Sequence, residues 1–282
     1  MRLFLLTVLT MIAFAANSVL NRMALAGGGM DAISFGTVRL MAGAAMLTLL
    51  CLMLRGRLAL TGPGRLVGVL SLLVYLYGFS LAYNALDAGL GALILFGTVQ
   101  VTMFTGALIR GEAMPPRRWL GAGLAFGGLI WLLWPGGAVA VSPLHGALMA
   151  LAGAGWGIYS LAGQRADDAL QATAANFVLG APLVLLFWVV LPFEAAANPR
   201  GIGLAVLSGA VTSGMGYALW YNLLPRLAAA VAAVAQLSVP IIATLGGVAL
   251  LGEVVGLSFA FAAALVLGGV AISVLPAGSQ SS

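Results

Sequence analysis

Almost the whole chain is made of apolar runs of about twenty residues, separated by short polar or glycine- and proline-containing segments. A helix of about twenty residues is long enough to cross a hydrocarbon core of about 30 Å. Only 7% of the residues are charged and 62% are hydrophobic, so the chain cannot cover a folded surface with polar groups. The runs are continuously apolar rather than alternating, which predicts helices and not the strands of a barrel. The sequence therefore predicts an all-α polytopic membrane protein.

The apolar runs divide the chain into ten predicted transmembrane helices. Turn-forming residues lie in the gaps, as at Gly62-Pro63-Gly64. The first run resembles a signal peptide, but it stays apolar to about Ala26, so we interpret it as the first span. The predicted spans are residues 3–24, 33–54, 64–86, 89–110, 117–135, 144–165, 171–191, 201–223, 227–251 and 255–275.

The arginines predict the orientation of these helices in the membrane. With the N-terminus in the cytoplasm, nine of the 12 basic residues lie on the cytoplasmic side, and Arg200 lies in an external loop. This asymmetry predicts a multi-pass protein of a bacterial inner membrane with both termini in the cytoplasm. It also accounts for the net charge of +5, so we expect no nucleic-acid partner. The nine cytoplasmic arginines are Arg2, Arg55, Arg57, Arg65, Arg110, Arg117, Arg118, Arg165 and Arg226.

The second half of the sequence repeats features of the first half in the same order. Residues 89–112 match residues 230–253 without a gap, and both segments are rich in small residues and contain a glutamine. Two kinds of residue pair mark both copies. Tyr83-Asn84 and Tyr221-Asn222 precede the match, and Gly111-Glu112 and Gly252-Glu253 end it.

The number of helices in each copy determines how the copies lie in the membrane. Five spans carry the chain to the opposite side, so the second copy must run upside down. We therefore predict two inverted five-helix repeats, residues 1–138 and 139–282, that together form one transport unit. Inverted repeats are the geometry on which alternating access is built. We expect this unit to function as a monomer in the lipid bilayer.

These features together resemble a known family. The ten spans, the Gly-Glu pairs after spans four and nine, Pro240 in span nine and Arg39 in span two resemble the EamA-type members of the drug/metabolite transporter superfamily. The resemblance covers essentially the whole chain and is greatest to bacterial exporters of aromatic and other amphipathic amino acids. It implies export of small metabolites through a central cavity between the two halves. The aromatic-glycine pair of that family is present in span six as Trp156-Gly157, but span one has Phe14-Ala15.

The sequence contains no recognisable catalytic or cofactor site. His145 is the only histidine, which leaves a Ser-His dyad or a histidine metal site without a second member. The only acidic pair, Asp167-Asp168, lies in a turn, and the glycine-rich stretches lack the lysine of a phosphate-binding loop. The chain is therefore predicted not to be an enzyme and to use no metal or cofactor. A membrane-embedded enzyme and a non-transporting scaffold remain the alternatives from other classes.

Charged residues inside the spans constrain the cargo. None of the predicted spans has an Asp or Glu at its middle, where proton- or sodium-coupled carriers usually place one. This favours a facilitator, or coupling through weaker groups, over proton or sodium coupling. A hydrophobic cation or drug, the alternative cargo, would also require a midplane acid. Arginine and lysine are also missing from the span centres, which disfavours phosphorylated cargo. We therefore expect a small neutral or zwitterionic amphipathic metabolite, and the resemblance implies amino acids, including aromatic ones.

Polar and aromatic residues near the span centres are the candidate substrate-binding residues. An unpaired amide in lipid costs on the order of several kcal/mol, so we expect these side chains to face the interior of the bundle. Interhelical hydrogen bonding and ordinary aromatic packing are the alternative interpretations. The candidates are Asn17, Tyr75, Gln100, Trp156, Tyr159, Tyr217, Gln236 and Ser238.

Arg39 and two prolines complete the candidate functional residues. Arg39 lies about two turns into span two, where it forms an outer ion pair with Asp31 or Asp87, or else serves as a gate or a contact for a substrate carboxylate. Pro182 and Pro240 remove backbone hydrogen bonds inside spans seven and nine, and each is a hinge or a fixed kink. The carbonyl freed near Pro240 is a candidate partner for a substrate ammonium.

Other residues are expected to have structural roles at span ends and helix contacts. Small residues at a spacing of four let helices approach closely, and aromatic residues at span ends anchor in the headgroup region. The carboxylates Glu112 and Glu253 are expected to cap or pair at helix ends, and the closely packed glycines are Gly123, Gly127, Gly153 and Gly157. The aromatic residues expected in the headgroup region are Tyr83, Trp119, Trp131, Trp134, Trp188, Trp220 and Tyr221.

Overall fold

The computed structural model describes residues 1–112, 115–134, 141–164, 166–190, 196–227 and 229–274. These residues form ten helical rods, joined by short turns, and the all-α polytopic fold is confirmed. The predicted boundary between residues 138 and 139 and the predicted cytoplasmic Arg165 lie outside the described residues. The first seven rods are α1 Arg2–Ala26, α2 Ala32–Arg55, α3 Arg65–Ala82, α4 Ala88–Ile109, α5 Pro116–Leu133, α6 Pro143–Gly163 and α7 Ala169–Val190.

The eighth and ninth rods are interrupted, and the tenth is a single helix. The eighth rod consists of α8 Pro199–Val206, a π-helical segment Leu207–Met215, α9 Gly216–Leu223 and a 3₁₀ turn Leu224–Arg226. The ninth rod consists of α10 Ala229–Gln236 and α11 Ser238–Leu251, and the tenth is α12 Leu257–Val274.

A proline accounts for the interruption of the ninth rod. Pro240 has no N–H to give to the carbonyl of Gln236, and a proline ring also crowds the carbonyl four residues earlier. The two helices of this rod meet at Leu237, within one turn of that proline. Pro182 has no such effect, because α7 continues through it from Ala169 to Val190.

The outer surface of the bundle is suited to lipid. Eight of the described rods have the length and hydropathy of membrane spans, and residues Leu257–Ser273 form a shorter apolar helix. Large apolar side chains cover the outward faces, such as Phe4, Leu66 and Ile109, which are 69%, 70% and 82% exposed. An exposed apolar surface of this extent belongs in a membrane rather than in water. The shorter rods α5 and α12, of 18 residues each, pack against each other.

Many contacts between the rods recur when the two halves are exchanged. The exchange replaces α1 by α6, α3 by the eighth rod and α4 by the ninth rod. The contact between α3 and α6 then corresponds to that between the eighth rod and α1, and the contact between α4 and α6 corresponds to that between the ninth rod and α1. α2 contacts the eighth rod as α7 contacts α3. The pairs α2–α7, α4–α11 and α5–α12 each join a rod to its own equivalent. Two inverted five-helix repeats, as the sequence predicts, would pack in this way.

Glycines allow α6 to pack closely against α4. A Cβ atom added to Gly153 or Gly157 would lie 2.7 Å from the Cβ of Thr98 or Thr102 in α4, so both glycines are in close contact with α4. The close-packing prediction for this pair is confirmed. The prediction for Gly123 and Gly127 of α5 is wrong, because no atom of the described chain lies within 4 Å of a Cβ built at either position.

Candidate functional site

A cavity of about 640 Å³ lies between the two halves of the bundle. Its wall includes Gln100 of α4, Trp156 of α6 and Gln236 of α10, three of the predicted substrate-binding residues. Its rim contains the exposed residues Arg110 and Glu112, at the turn between α4 and α5. We call this side of the bundle the Glu112 end and the opposite side the Glu253 end. A volume of several hundred Å³ is typical of sites for small molecules.

Helical periodicity places the cavity residues on common faces. Gln100 and Phe104 are four residues apart in α4, and Trp156 and Ser160 have the same spacing in α6. Trp220 and Tyr221 of α9 also lie on the wall, and Trp220 is only 6% exposed. Their predicted role as headgroup anchors is therefore wrong. The missed signal was their spacing of three and four residues from Tyr217, which puts all three aromatic side chains on one helix face.

Four of the candidate aromatic residues form a cluster at the inner boundary of the cavity. The ring of Trp156 lies 4.9 Å from Tyr75, 5.3 Å from Tyr159 and 5.1 Å from Tyr217, measured between ring centroids. Trp156 lines the cavity, whereas the three tyrosines are buried behind it. The hydroxyl of Tyr159 donates a hydrogen bond to Thr173 Oγ1 at 2.9 Å. We call Tyr75, Trp156, Tyr159 and Tyr217 the aromatic cluster.

Asn17 is buried in a polar contact between α1 and the π-helical segment. Its Oδ1 accepts hydrogen bonds from Ser208 at 2.8 Å, Thr212 at 2.6 Å and Ser213 at 3.3 Å. In the conformation of the structure, Asn17 therefore makes interhelical hydrogen bonds. The π-helical geometry turns all three hydroxyls toward one acceptor, and such segments occur frequently at functional sites.

Arg39 lies deeper in the bundle than the predicted ion pair requires. Its side chain is fully buried, its Nε donates to Ser213 Oγ at 3.1 Å, and its Nη2 donates to Tyr75 OH at 2.8 Å. The predicted partners are used elsewhere, because Asp31 caps the N-terminus of α2 and Asp87 lies 3.8 Å from Arg22. The outer ion pair is therefore wrong in this structure. The burial of Arg39 places a positive charge inside the bundle, although no arginine or lysine lies at the centre of a predicted span.

A helix cap closes the bundle at the Glu253 end. The N–H of Ala88, at the start of α4, donates to both carboxylate oxygens of Glu253, at 2.8 and 2.9 Å. Arg22 lies 3.8 Å from the same carboxylate and donates to the carbonyls of Tyr83 and Asn84, at 3.0 and 3.2 Å. A carboxylate at a helix N-terminus satisfies a free N–H group and favours the helix dipole. The predicted capping role of Glu253 is confirmed.

Burial dominates the protonation of this carboxyl. Removal from water raises the pKa of Glu253 more than the Ala88 N–H and Arg22 lower it, so the pKa lies above its ordinary value. Glu253 lies in the turn between α11 and α12, outside the spanning helices.

The Glu112 end has the same local structure but different contacts. Gly111 and Gly252 both have left-handed backbone, with φ of 70° and 68°, which ends the preceding helix and favours glycine. The carboxylate of Glu112 lies 2.8 Å from Arg110 and 3.9 Å from Arg118, on the exposed rim of the cavity. The prediction that Glu112 pairs at a helix end is therefore confirmed. The cavity opens at this end. At the Glu253 end, the buried residues Tyr83, Leu86 and Ala88 close the bundle, and a separate, smaller cavity of about 240 Å³ lies beside Glu253.

The remaining candidates lie in local structure. Ser238 Oγ donates to the carbonyl of Ala235 at 2.6 Å, which spans the interruption between α10 and α11. Pro240 is buried near the start of α11, and Pro182 is exposed on α7. Asp168 accepts hydrogen bonds from Arg55 and from N–H groups at the start of α7. Across the described residues, no three His, Cys, Asp or Glu side chains converge into a metal site.

The chain is similar to a known protein family and to other known proteins. The EamA-like transporter family model matches residues 145–275. An uncharacterized protein of Pseudomonas aeruginosa is 46% identical over 276 residues, which cover 98% of this chain and 95% of that protein. A solved crystal structure with 21% sequence identity covers 97% of this chain and 98% of its own, with a TM-score of 0.66, and so has the same fold.

Proposed function

We propose that this chain, which belongs to the EamA-like transporter family, carries small neutral or zwitterionic amphipathic metabolites by alternating access. Family membership makes it a multi-pass membrane transporter of small metabolites. The single observation that carries the finer proposal is the cavity of about 640 Å³, open at the Glu112 end, with an aromatic floor and the amide side chains of Gln100, Gln164 and Gln236 on its wall. Amino acids, including aromatic ones, are the proposed cargo.

The cavity wall suits a molecule with an apolar body and a polar end. The rings of Phe104, Trp156 and Trp220 offer apolar contact, and the amides of Gln100 and Gln236 offer donors and acceptors. Pro240 cannot donate a backbone hydrogen bond to the carbonyl of Gln236, which makes this carbonyl a candidate acceptor for a cargo ammonium. We assign the cargo to this space.

Transport requires the closed end to open and the open end to close. In the proposed cycle, the contact between Glu253 and the N-terminus of α4 separates as residues 1–138 rock against residues 139–282. The aromatic cluster then parts, and the cargo meets the residues behind Trp156. Asn17, Tyr75, Tyr159, Tyr217 and Ser238 are proposed to contact cargo in these later states. Pro240 is the proposed hinge, and Pro182 a second one.

The arginine distribution indicates which side of the membrane the cavity faces. If the Glu112 end faces the cytoplasm, as the positive-inside rule indicates, the structure corresponds to an inward-open carrier of a bacterial inner membrane. An exporter loads its cargo in this state. We propose that a single chain suffices, because the cavity is formed entirely within it.

Uptake into sealed liposomes tests the proposal. We expect saturable, competable transport of radiolabelled aromatic and other neutral amino acids, measured with and without an imposed pH gradient. Trp156→Ala should abolish most of this transport, whereas the matched Trp131→Ala should retain it, because Trp131 is half exposed on the outer face beside Phe261. Transport of hydrophobic cations alone would replace the cargo assignment with the drug alternative. No transport of either class would overturn the proposal.

A further inference from the structure

A positive charge lies inside the bundle without a protein counter-ion. Arg39 is 0% exposed, and its guanidinium offers five N–H donors. The structure gives it two hydrogen bonds, to Ser213 at 3.1 Å and to Tyr75 at 2.8 Å. Its Nη1 has no hydrogen-bond partner among the described residues. Charged side chains inside a membrane bundle are almost always paired, and those that are not mark a functional site.

The groups around Arg39 are all neutral. Its guanidinium carbon lies 4.9 Å from the centre of the Phe79 ring and 5.3 Å from that of Tyr75, and Ser213 in turn donates to Asn17. Aromatic faces and hydroxyls solvate a cation partly, but they do not neutralise it. The carboxylates at the two ends of the bundle contact other residues than Arg39. Glu253 contacts Ala88 and Arg22, and Glu112 contacts Arg110 and Arg118.

The unpaired donor is close to the cavity. Tyr75 contacts both Arg39 and Trp156, and Trp156 lines the cavity. Tyr75 and Trp156 therefore lie between the guanidinium and the space proposed for the cargo. When Tyr75 or Trp156 changes rotamer, an anionic group in the cavity can approach Nη1 and Nη2 together.

We propose that Arg39 is the counter-ion for a carboxylate on the cargo, which narrows the cargo to zwitterions and monocarboxylates that also carry an apolar group. This inference rests on the proposed function. A guanidinium binds a carboxylate through two parallel N–H···O bonds, and Nη1 and Nη2 supply that pair. Trp156 then covers the apolar body. Ser213 and Phe79 hold the guanidinium in position while the cargo is absent.

Binding of three related ligands to the purified full-length chain tests the inference. Phenylalanine carries both charged groups, 3-phenylpropionate lacks the ammonium, and phenylalaninol lacks the carboxylate. We expect the wild type to bind the two carboxylates about 10- to 100-fold more tightly than phenylalaninol, the range of a charge-assisted hydrogen-bond pair. Arg39→Gln should remove this preference and leave phenylalaninol binding within about threefold, and Arg39→Lys should restore part of the preference.

Each alternative outcome has a distinct meaning. Equal wild-type binding of phenylalanine and phenylalaninol would overturn the inference without any variant, and would leave the proposed function in place. Loss of the carboxylate preference in Arg110→Gln rather than in Arg39→Gln would assign the role to the cavity rim and also overturn it. If the wild type neither binds nor transports any of the three ligands, the proposed function itself fails. Retained phenylalaninol binding shows that Arg39→Gln is folded.

Discussion

Replacing Glu253 by alanine should open the closed end of the transporter. The substitution leaves the N–H of Ala88 without its two acceptor oxygens, at 2.8 and 2.9 Å. Loss of a helix cap costs about 0.5–2 kcal/mol, and the Arg22 contact, at 3.8 Å, adds about 0–1 kcal/mol. We therefore expect a change of about 1–2 kcal/mol in the equilibrium between closed and open forms. This corresponds to about a 5- to 30-fold rise in the open population.

Cysteine labelling measures this population directly. Cys51 is the only cysteine, so a Cys51→Ala chain carrying Leu86→Cys has one reporter thiol. Leu86 is 1% exposed beside the cap, and its modification requires opening of the Glu253 end. In detergent solution, Glu253→Ala should raise the rate of maleimide labelling about 5- to 30-fold.

Two control variants distinguish the cap from other effects. Glu253→Gln keeps an acceptor for the Ala88 N–H and should stay close to the parent chain. Glu112→Ala removes the matching carboxylate from the exposed rim and should not raise labelling at position 86. A labelling rate for Glu253→Ala within twofold of the parent chain would refute the capping argument. So would equal acceleration by the alanine and glutamine variants.

The same cap predicts a pH dependence. Burial raises the pKa of Glu253 in the closed form, while an opened, hydrated carboxyl has its ordinary value of about 4.3. The closed form therefore binds the proton more tightly, and acidification stabilises it relative to the open form. This stabilisation of the closed form is fully present at pH values below the ordinary pKa, and it is lost as the pH rises through the raised pKa of the closed form. The labelling rate at position 86 is divided by that of a fully exposed thiol at the same pH, which removes the dependence of the reaction on the thiolate fraction. This ratio should fall as the pH is lowered through this window, and Glu253→Gln should remove the fall in the ratio.

Two further substitutions test helix contacts. Gly157→Leu should destabilise the protein by about 1–3 kcal/mol, because the new side chain meets α4 at contact distance. Gly123→Leu, the control, should be tolerated. Thermal unfolding in detergent measures the stability of both variants, and equal losses of stability would contradict the packing. Pro240→Ala should restore the hydrogen bond to the Gln236 carbonyl and slow transport, with Pro182→Ala as its control. Unchanged liposome uptake by Pro240→Ala would exclude this proline as a hinge.

The sequence predicted the helices because length and hydropathy determine them. Apolar runs with turn residues between them leave few alternatives in a membrane, and the observed helix ends lie close to the predicted ones. The Gly-Glu pairs were also informative, since glycine with left-handed backbone ends α4 and α11 in the same way. Residues that end a helix can be recognised in the sequence without knowing which other helices lie nearby.

The contacts between helices were harder to predict, because they depend on which face turns inward. The spacing at Gly123 and Gly127 is the same as at Gly153 and Gly157, yet only the α6 pair touches another helix. Arg39 was expected to reach the surface, but it lies four residues after Phe35 on a face that is fully buried. Hydropathy does not distinguish these faces, since the lipid side is as apolar as the core.

The two Gly-Glu pairs explain why sequence reasoning cannot give the conformation of a carrier of this type. Both halves carry the same motif, so this motif does not distinguish the two ends, whereas the structure uses Glu253 as a cap and leaves Glu112 on the rim of the cavity. In the proposed cycle the roles exchange, with Glu112 capping the ninth rod when the Glu253 end opens. A carrier must keep two such states within a few kcal/mol, so that cargo binding can shift the population. When two states have nearly the same free energy, the sequence contains no strong signal for either of them. Which end of the bundle is closed must therefore be measured.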